Sequence, residues 1–87
     1  MASYEVVFRK SVAKDLRRVP NDDVARILER IRSLANDPRP AGCEKLSGLE
    51  RYRIRQGVYR IVYEVLDHKL VVLVVTIGHR RDVYRAR

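Results

Sequence analysis

The chain has 87 residues with 19 Lys and Arg against 11 Asp and Glu, a formal net charge of +8, and fifteen of the bases are arginine. This length admits one domain, residues 1–87, and 46% apolar content supports a packed core rather than disorder. The longest apolar run, 70–77, is far below the ~20 residues of a membrane span, no basic-then-apolar leader opens the chain, and a single cysteine, Cys43, cannot form an internal disulfide, so the expectation is a reduced, cytoplasmic domain without membrane contact.

Residues 3–8 place Tyr4, Val6 and Phe8 on one face and predict a short strand. Ser11 is positioned to cap a short helix in which Val12, Leu16 and Val19 recur at i, i+4 and i+7, and Pro20 ends it. Asn21 is positioned to cap a second helix, with Asp22 and Asp23 at its positive N-terminal end. Its apolar stripe is Val24, Ile27, Leu28, Ile31, Leu34 and Ala35, stopped by Asn36-Asp37-Pro38. Residues 37–49, with Pro38, Pro40, Gly42 and Gly48, read as a loop. From Glu50 onward the period becomes two. Arg51, Arg53 and Arg55 alternate with Tyr52 and Ile54, and Gln56-Gly57 is a turn signal. Residues 58–66 form the next strand, with Tyr59, Ile61, Tyr63 and Val65 on the helix side. Asp67-His68 is a second turn, and 70–77 reads as a central strand covered on both faces. Gly78 ends it, and 80–87 is a short basic tail. The expected fold class is α+β: strand, two helices, then three strands in a meander, with a mainly antiparallel sheet packed on the two helices.

The charge is uneven. Residues 1–50 carry ten bases and eight acids, and residues 51–87 carry nine bases and three acids, so the second part holds +6 of the +8. Two-residue turns at Gln56-Gly57 and Asp67-His68 would pair Arg55 with Val58, Arg53 with Arg60, and Arg60 with Val75. Positions 51, 53, 55, 58, 60 and 62 then share the face opposite the helices. Arg53 and Arg60 become direct neighbours, a like-charge pair that costs stability unless an anion lies over it or a carboxylate such as Glu64 bridges it. Val75 and Ile77 fall on the Arg60 side, and His79, Arg80 and Tyr84 follow at its rim. Arginine suits phosphate because its planar fork binds two oxygens and stays charged.

Other chemistries fit less well. His68 and His79 stand at opposite ends of the last strand, so a metal site is not expected, nor is a cofactor. Cys43 has no assigned base and reads as an incidental thiol. Tyr52, Tyr59 and Tyr63 read as core, and no phosphate-binding glycine loop is present.

The runs Lys45-Leu46-Ser47-Gly48, Tyr52-Arg53-Ile54-Arg55, Tyr59-Arg60-Ile61-Val62-Tyr63-Glu64-Val65 and Ile77-Gly78-His79-Arg80-Arg81-Asp82-Val83-Tyr84 resemble the RelE toxins of the RelE/ParE superfamily. That resemblance implies a RelE-like, microbial-RNase-like fold and a ribosome-dependent endoribonuclease that cuts mRNA in the A site. The implied chemistry is metal-free attack of the ribose 2′-hydroxyl on the adjacent phosphate. Implied partners are mRNA, the ribosome with its 16S rRNA, a cognate RelB-like antitoxin, and operator DNA only through the antitoxin complex. By position, Arg60 resembles the central phosphate-binding arginine, Arg80 the arginine after the last strand, and Tyr84 the tyrosine that orients the reacting nucleotide. Arg51, Arg53, Arg55, Lys45 and Arg81 are the further RNA-binding candidates. Arg53 and Arg55 stand where other members carry lysines, and Ser47 stands where some carry a base, which Lys45 partly replaces. Arginine does not act as a general base, so the candidates for that role are His79 and Tyr84. Two other functions compete: a non-enzymatic DNA gyrase inhibitor of the ParE branch, and a basic nucleic-acid-binding module without toxicity.

Overall fold

The computed structural model describes residues 3–46 and 50–79. Its elements are β1 (Glu5–Phe8), α1 (Lys10–Arg17), α2 (Asn21–Ser33), β2 (Glu44–Leu46), β3 (Arg51–Gln56), β4 (Tyr59–Leu66) and β5 (Val71–His79). The five strands form one sheet in the order β1-β5-β4-β3-β2. β1 runs parallel to β5 and every other pair is antiparallel. The α+β class and the two-helix arrangement follow the sequence expectation, with one strand more.

That extra strand, β2, lies inside the segment read as a loop. Three residues are too few to show a period, and β2 exists because its backbone pairs with β3. The helix starts also differ. Arg9, not Ser11, occupies the N-cap position of α1, because the chain turns from β1 directly into the helix and the Arg9 amide still bonds the Val74 carbonyl at 3.0 Å. Pro20, not Asn21, occupies the N-cap of α2, and its carbonyl accepts the Asp23 and Val24 amides at 2.9 and 3.0 Å.

Val12, Val19, Ile27, Ile31 and Leu34 of the helical segments meet Tyr52, Ile54, Ile61, Tyr63, Val65, Val72, Val74 and Ile77 of the sheet in one core. Of the tyrosines read as core, Tyr52 and Tyr63 lie in it and the half-buried Tyr59 packs against it. Tyr63 is fully buried, donates its hydroxyl to the Pro38 carbonyl at 2.7 Å, and stacks on Tyr52 with ring centroids 5.9 Å apart. Burial pushes the Tyr63 phenol well above its ordinary range.

Three details of register differ from the sequence expectation. The β3–β4 turn is Gly57-Val58 rather than Gln56-Gly57, because Gly57 has φ +61° at the first central position, where a type II′ turn calls for glycine. The pairing therefore moves by two residues, and Arg55 rather than Arg53 lies opposite Arg60. The β4–β5 connection is longer than Asp67-His68: a 3₁₀ turn spans Asp67–Lys69, and Leu70 follows with φ 54°. Finally, β5 contains a bulge. Val62 pairs with Thr76 but Tyr63 pairs with Val74, so Val75 is an extra residue. Beyond the bulge Arg60 faces Gly78, and Ile77 faces Ile61 in the core rather than sharing the Arg60 side. Gly78 does not end the strand, which runs on to His79.

α1 stabilises this irregularity. β1 pairs only as far as Val74. Past that point Asp15 of α1 accepts the Ile77 amide at 3.1 Å and the Thr76 hydroxyl at 3.2 Å.

A polar cluster closes the other end of the sheet. Arg39 donates Nη1 and Nη2 to the two Asp67 oxygens at 3.2 and 2.7 Å, and Nε to the Tyr52 hydroxyl at 2.9 Å. Tyr4 donates its hydroxyl to Asp67 at 2.6 Å. These bonds tie the segment after α2 to the β4–β5 connection and to the start of β1.

Two outcomes follow from this geometry. Gly57→Ala is expected to lower stability by about 1–2 kcal/mol through backbone strain. No atom lies within 4 Å of the added Cβ, so the loss is one of backbone conformation, read as a shift of the urea midpoint. For the cluster, the Arg39 guanidinium and then the Tyr4 hydroxyl hold the Asp67 carboxyl down at about 2. A carboxyl lowered on folding contributes stability above its unfolded pKa and loses it as pH falls through the folded one. Urea midpoints of wild type and Asp67→Asn should thus differ at pH 6 and converge between about pH 4 and pH 2.

Candidate functional site

Period-two alternation turns Tyr52 and Ile54 of β3 into the core and leaves Arg51, Arg53 and Arg55 on the opposite face. On β4 the same rule buries Tyr63 and Ile61 against the helices and turns Arg60, Val62 and Glu64 outward to the arginines. Cross-strand register then gives the rows Arg51–Glu64, Arg53–Val62 and Arg55–Arg60. β2 adds Glu44 beside Arg53. β5 adds Gly78 beside Arg60, a cross-strand neighbour that itself carries no side chain.

The charges are interleaved rather than merely accumulated. Arg51 Nε donates to Glu64 Oε2 at 2.8 Å, and Arg53 Nη2 donates to Glu44 Oε1 at 2.6 Å. Glu64 therefore holds Arg51 instead of bridging Arg53 and Arg60. The hydrogen bond from Arg53, with the charges of Arg55 and Arg60 behind it, holds the Glu44 carboxyl below the usual carboxylate range. Arg55 is exposed, whereas Arg60 is only 8% exposed. A buried guanidinium next to an exposed one is a constrained fork beside an adaptable one. Charged side chains are rarely buried at this level unless they are paired.

Two candidate residues are not brought to this face. His79 lies opposite Tyr59, and the two rings meet edge to face with centroids 6.1 Å apart. The bulge at Val75 puts it there, since one extra residue exchanges the two faces of everything beyond it. Lys45 lies opposite Tyr52, on the helix side of edge strand β2, with Nζ 3.7 Å from Glu50. Arg80, Arg81 and Tyr84, together with Ser47, lie outside the described residues. Conversely, Glu44 was not singled out from sequence. Its only signal was an acid ahead of the arginine strand, one of two with Glu50, and its position became meaningful only once β2 paired with β3.

Among the described residues, no three or more His, Cys, Asp or Glu side chains are grouped so as to hold a metal ion. Cys43 is a free, half-buried thiol packed against the core. No helix among the described residues is long and apolar enough to cross a membrane.

Residues 6–84 match the family model described as the ParE toxin of the type II toxin–antitoxin system parDE. Named relatives lie on the RelE side of the same superfamily. The chain is 29% identical over 86 residues to Toxin RelG of Mycobacterium tuberculosis, covering 94% of this chain and 97% of that protein. It is 28% identical over 87 residues to the mRNA interferase toxin RelE of Escherichia coli, covering 94% and 90%. Among solved structures, the archaeal RelE–RelB complex from Pyrococcus horikoshii superimposes with a TM-score of 0.78 at 28% identity, covering 90% of this chain and 96% of that one. Alternation, register and these likenesses agree, and the chain belongs to the ParE toxin family of type II toxin–antitoxin systems, within the RelE/ParE superfamily and with RelE toxins as its relatives.

Proposed function

We propose that this protein is the toxin of a type II toxin–antitoxin pair and acts as an endoribonuclease that cuts mRNA in the ribosomal A site. The observation that carries this reading is the row Arg55–Arg60, with Arg60 buried, Gly78 opposite it on β5 and Arg53 one row away. The naming of an E. coli relative as an mRNA interferase supports it.

In this reading Arg53, Arg55 and Arg60 grip the scissile phosphate and its neighbours, with Arg51 and Arg81 extending the basic track. The 2′-oxygen forms a bond to phosphorus, and the bond from phosphorus to the 5′-oxygen breaks, giving a 2′,3′-cyclic phosphate and a 5′-hydroxyl. Charge grows on the phosphate oxygens as the fifth bond forms, and fixed guanidinium donors stabilise that state more than the ground state. Arg80 adds a further donor after the last strand, and Tyr84 stacks on or orients the reacting nucleotide. Side chains of the protein perform the reaction without a metal or cofactor. The toxin works in the cytoplasm, beside ribosomes. A RelB-like antitoxin, acidic enough to complement a +8 surface, neutralises it, and operator DNA is bound only by the pair.

A second reading, a non-enzymatic inhibitor of DNA gyrase, is favoured by one observation: the matching family model describes ParE toxins. Mapping mRNA 5′ ends after induction separates the two. Cuts phased with codons support the nuclease, whereas an SOS response without new ends supports the gyrase inhibitor. In vitro, ribosome-bound mRNA should be cleaved and free RNA should not. Arg60→Ala and Arg80→Ala should each lower the rate about 10²–10³-fold while leaving the far-UV spectrum unchanged. Full toxicity of either folded variant would refute the site.

A further inference from the structure

We propose that Glu44 is the general base of the cleavage step, accepting the ribose 2′-hydroxyl proton beside Arg53; this rests on the ribonuclease reading above. The chemistry needs an acceptor, and the arginines at 53 and 55 cannot be one. His79 is turned to the Tyr59 ring on the other side of the sheet, and the reading above gives Tyr84, outside the described residues, the part of orienting the nucleotide. The carboxylates that share the arginine face among the described residues are Glu44 and Glu64. Glu64 is bound to Arg51, its side chain is 24% exposed, and it stands in the row farthest from Arg55–Arg60. Glu44 stands on edge strand β2 in the row of Arg53, one row from that pair, and its side chain is 55% exposed. A substrate lying over Arg53 thus reaches it without any rearrangement of the sheet.

The contact with Arg53 gives Glu44 a fixed orientation. Oε1 accepts Nη2 at 2.6 Å, and Oε2 makes no hydrogen bond among the described residues. Proton transfer to Oε2 would leave the Arg53 bond intact. Arg53, Arg55 and Arg60 are the charged groups that face Glu44 from β3 and β4, while Lys45, on its own strand, points to the other side and meets Glu50. All three facing groups favour the carboxylate, so it is ionised throughout the neutral range. In the step, the 2′-hydroxyl proton passes to Glu44 as the 2′-oxygen bonds to phosphorus. The departing 5′-oxygen takes a proton from water, and Glu44 then returns its own proton to water.

The proposal also accounts for an acid where repulsion of RNA would otherwise weaken binding. A positioned general base contributes about 10²–10⁴-fold in rate, well beyond the tenths of a kcal/mol that one exposed like charge costs.

The test is single-turnover cleavage of ribosome-bound mRNA by wild type, Glu44→Gln and Glu44→Asp, with binding to an mRNA carrying 2′-deoxyribose at the cleaved position. Glu44→Gln is expected to cleave about 10²–10⁴-fold more slowly while binding the deoxy substrate at least as tightly, and Glu44→Asp should recover part of the rate. The wild-type rate should be flat from about pH 5.5 to 8, because the acceptor titrates below the usual carboxylate value of ~4.3. Cleavage by Glu44→Gln within threefold of wild type would overturn the proposal. Loss of binding in step with rate would also overturn it, since that marks a mere prop for Arg53. So would an acid limb near 6.5, the imidazole value. The pH profile needs no variant, so an acid limb there overturns the proposal even if Glu44→Gln does not fold. A wild type that cuts no ribosome-bound mRNA refutes the nuclease reading itself, a result distinct from active wild type with an equally active Glu44→Gln.

Discussion

One extra residue in β5 governs which side chains meet at the centre of the sheet. With Val75 bulged out, Ile77 returns to the core opposite Ile61, and Gly78 comes to lie beside Arg60. A regular strand would put a bulky side chain on that flank and turn an apolar isoleucine toward the arginines. Asp15 makes the bulge tolerable, because its carboxylate takes the Ile77 amide and Thr76 hydroxyl where β1 no longer pairs. A backbone amide left without a partner in a protein interior costs more than an ordinary hydrogen bond contributes. The path of α1 and the geometry of the arginine face are therefore one problem with one solution.

The face itself balances two opposing demands. Four arginines on two adjacent strands repel one another, which weakens the sheet. Two carboxylates reduce the repulsion, each in a cross-strand row with its own partner: Glu64 with Arg51 and Glu44 with Arg53. The Arg55–Arg60 row, in contrast, sets two guanidiniums directly opposite each other. Arg60 is buried, whereas Arg55 is exposed. This division matches what phosphate chemistry asks for, a preorganised donor where charge develops and an adaptable one at the periphery.

RelE and ParE toxins share one superfamily, and the match to a ParE family model alongside relatives named RelE shows how little the architecture alone decides. The sheet, the helices and the core would serve either activity. Function resides in the side chains of a site rather than in the fold.

Much of this was legible from residues alone. The stripe from Val24 to Leu34 could only be a helix face, and the alternation of Arg51, Arg53 and Arg55 with Tyr52 and Ile54 could only be a strand with two unlike sides. Those patterns are local, set by the 3.6- and 2-residue periods of the backbone, and so sequence alone established the fold class and the side of the sheet on which the arginines stand. Register is not local. It depends on which residues form a turn and on whether a strand carries an extra residue, and a glycine φ of +61° or a bulge at Val75 has no unique signature in the chain. Tertiary structure thus decided that Arg55 and not Arg53 faces Arg60, that His79 meets Tyr59, and that Glu44, in a strand three residues long, stands against Arg53. Such a strand acquires its identity only from the neighbour whose backbone it completes.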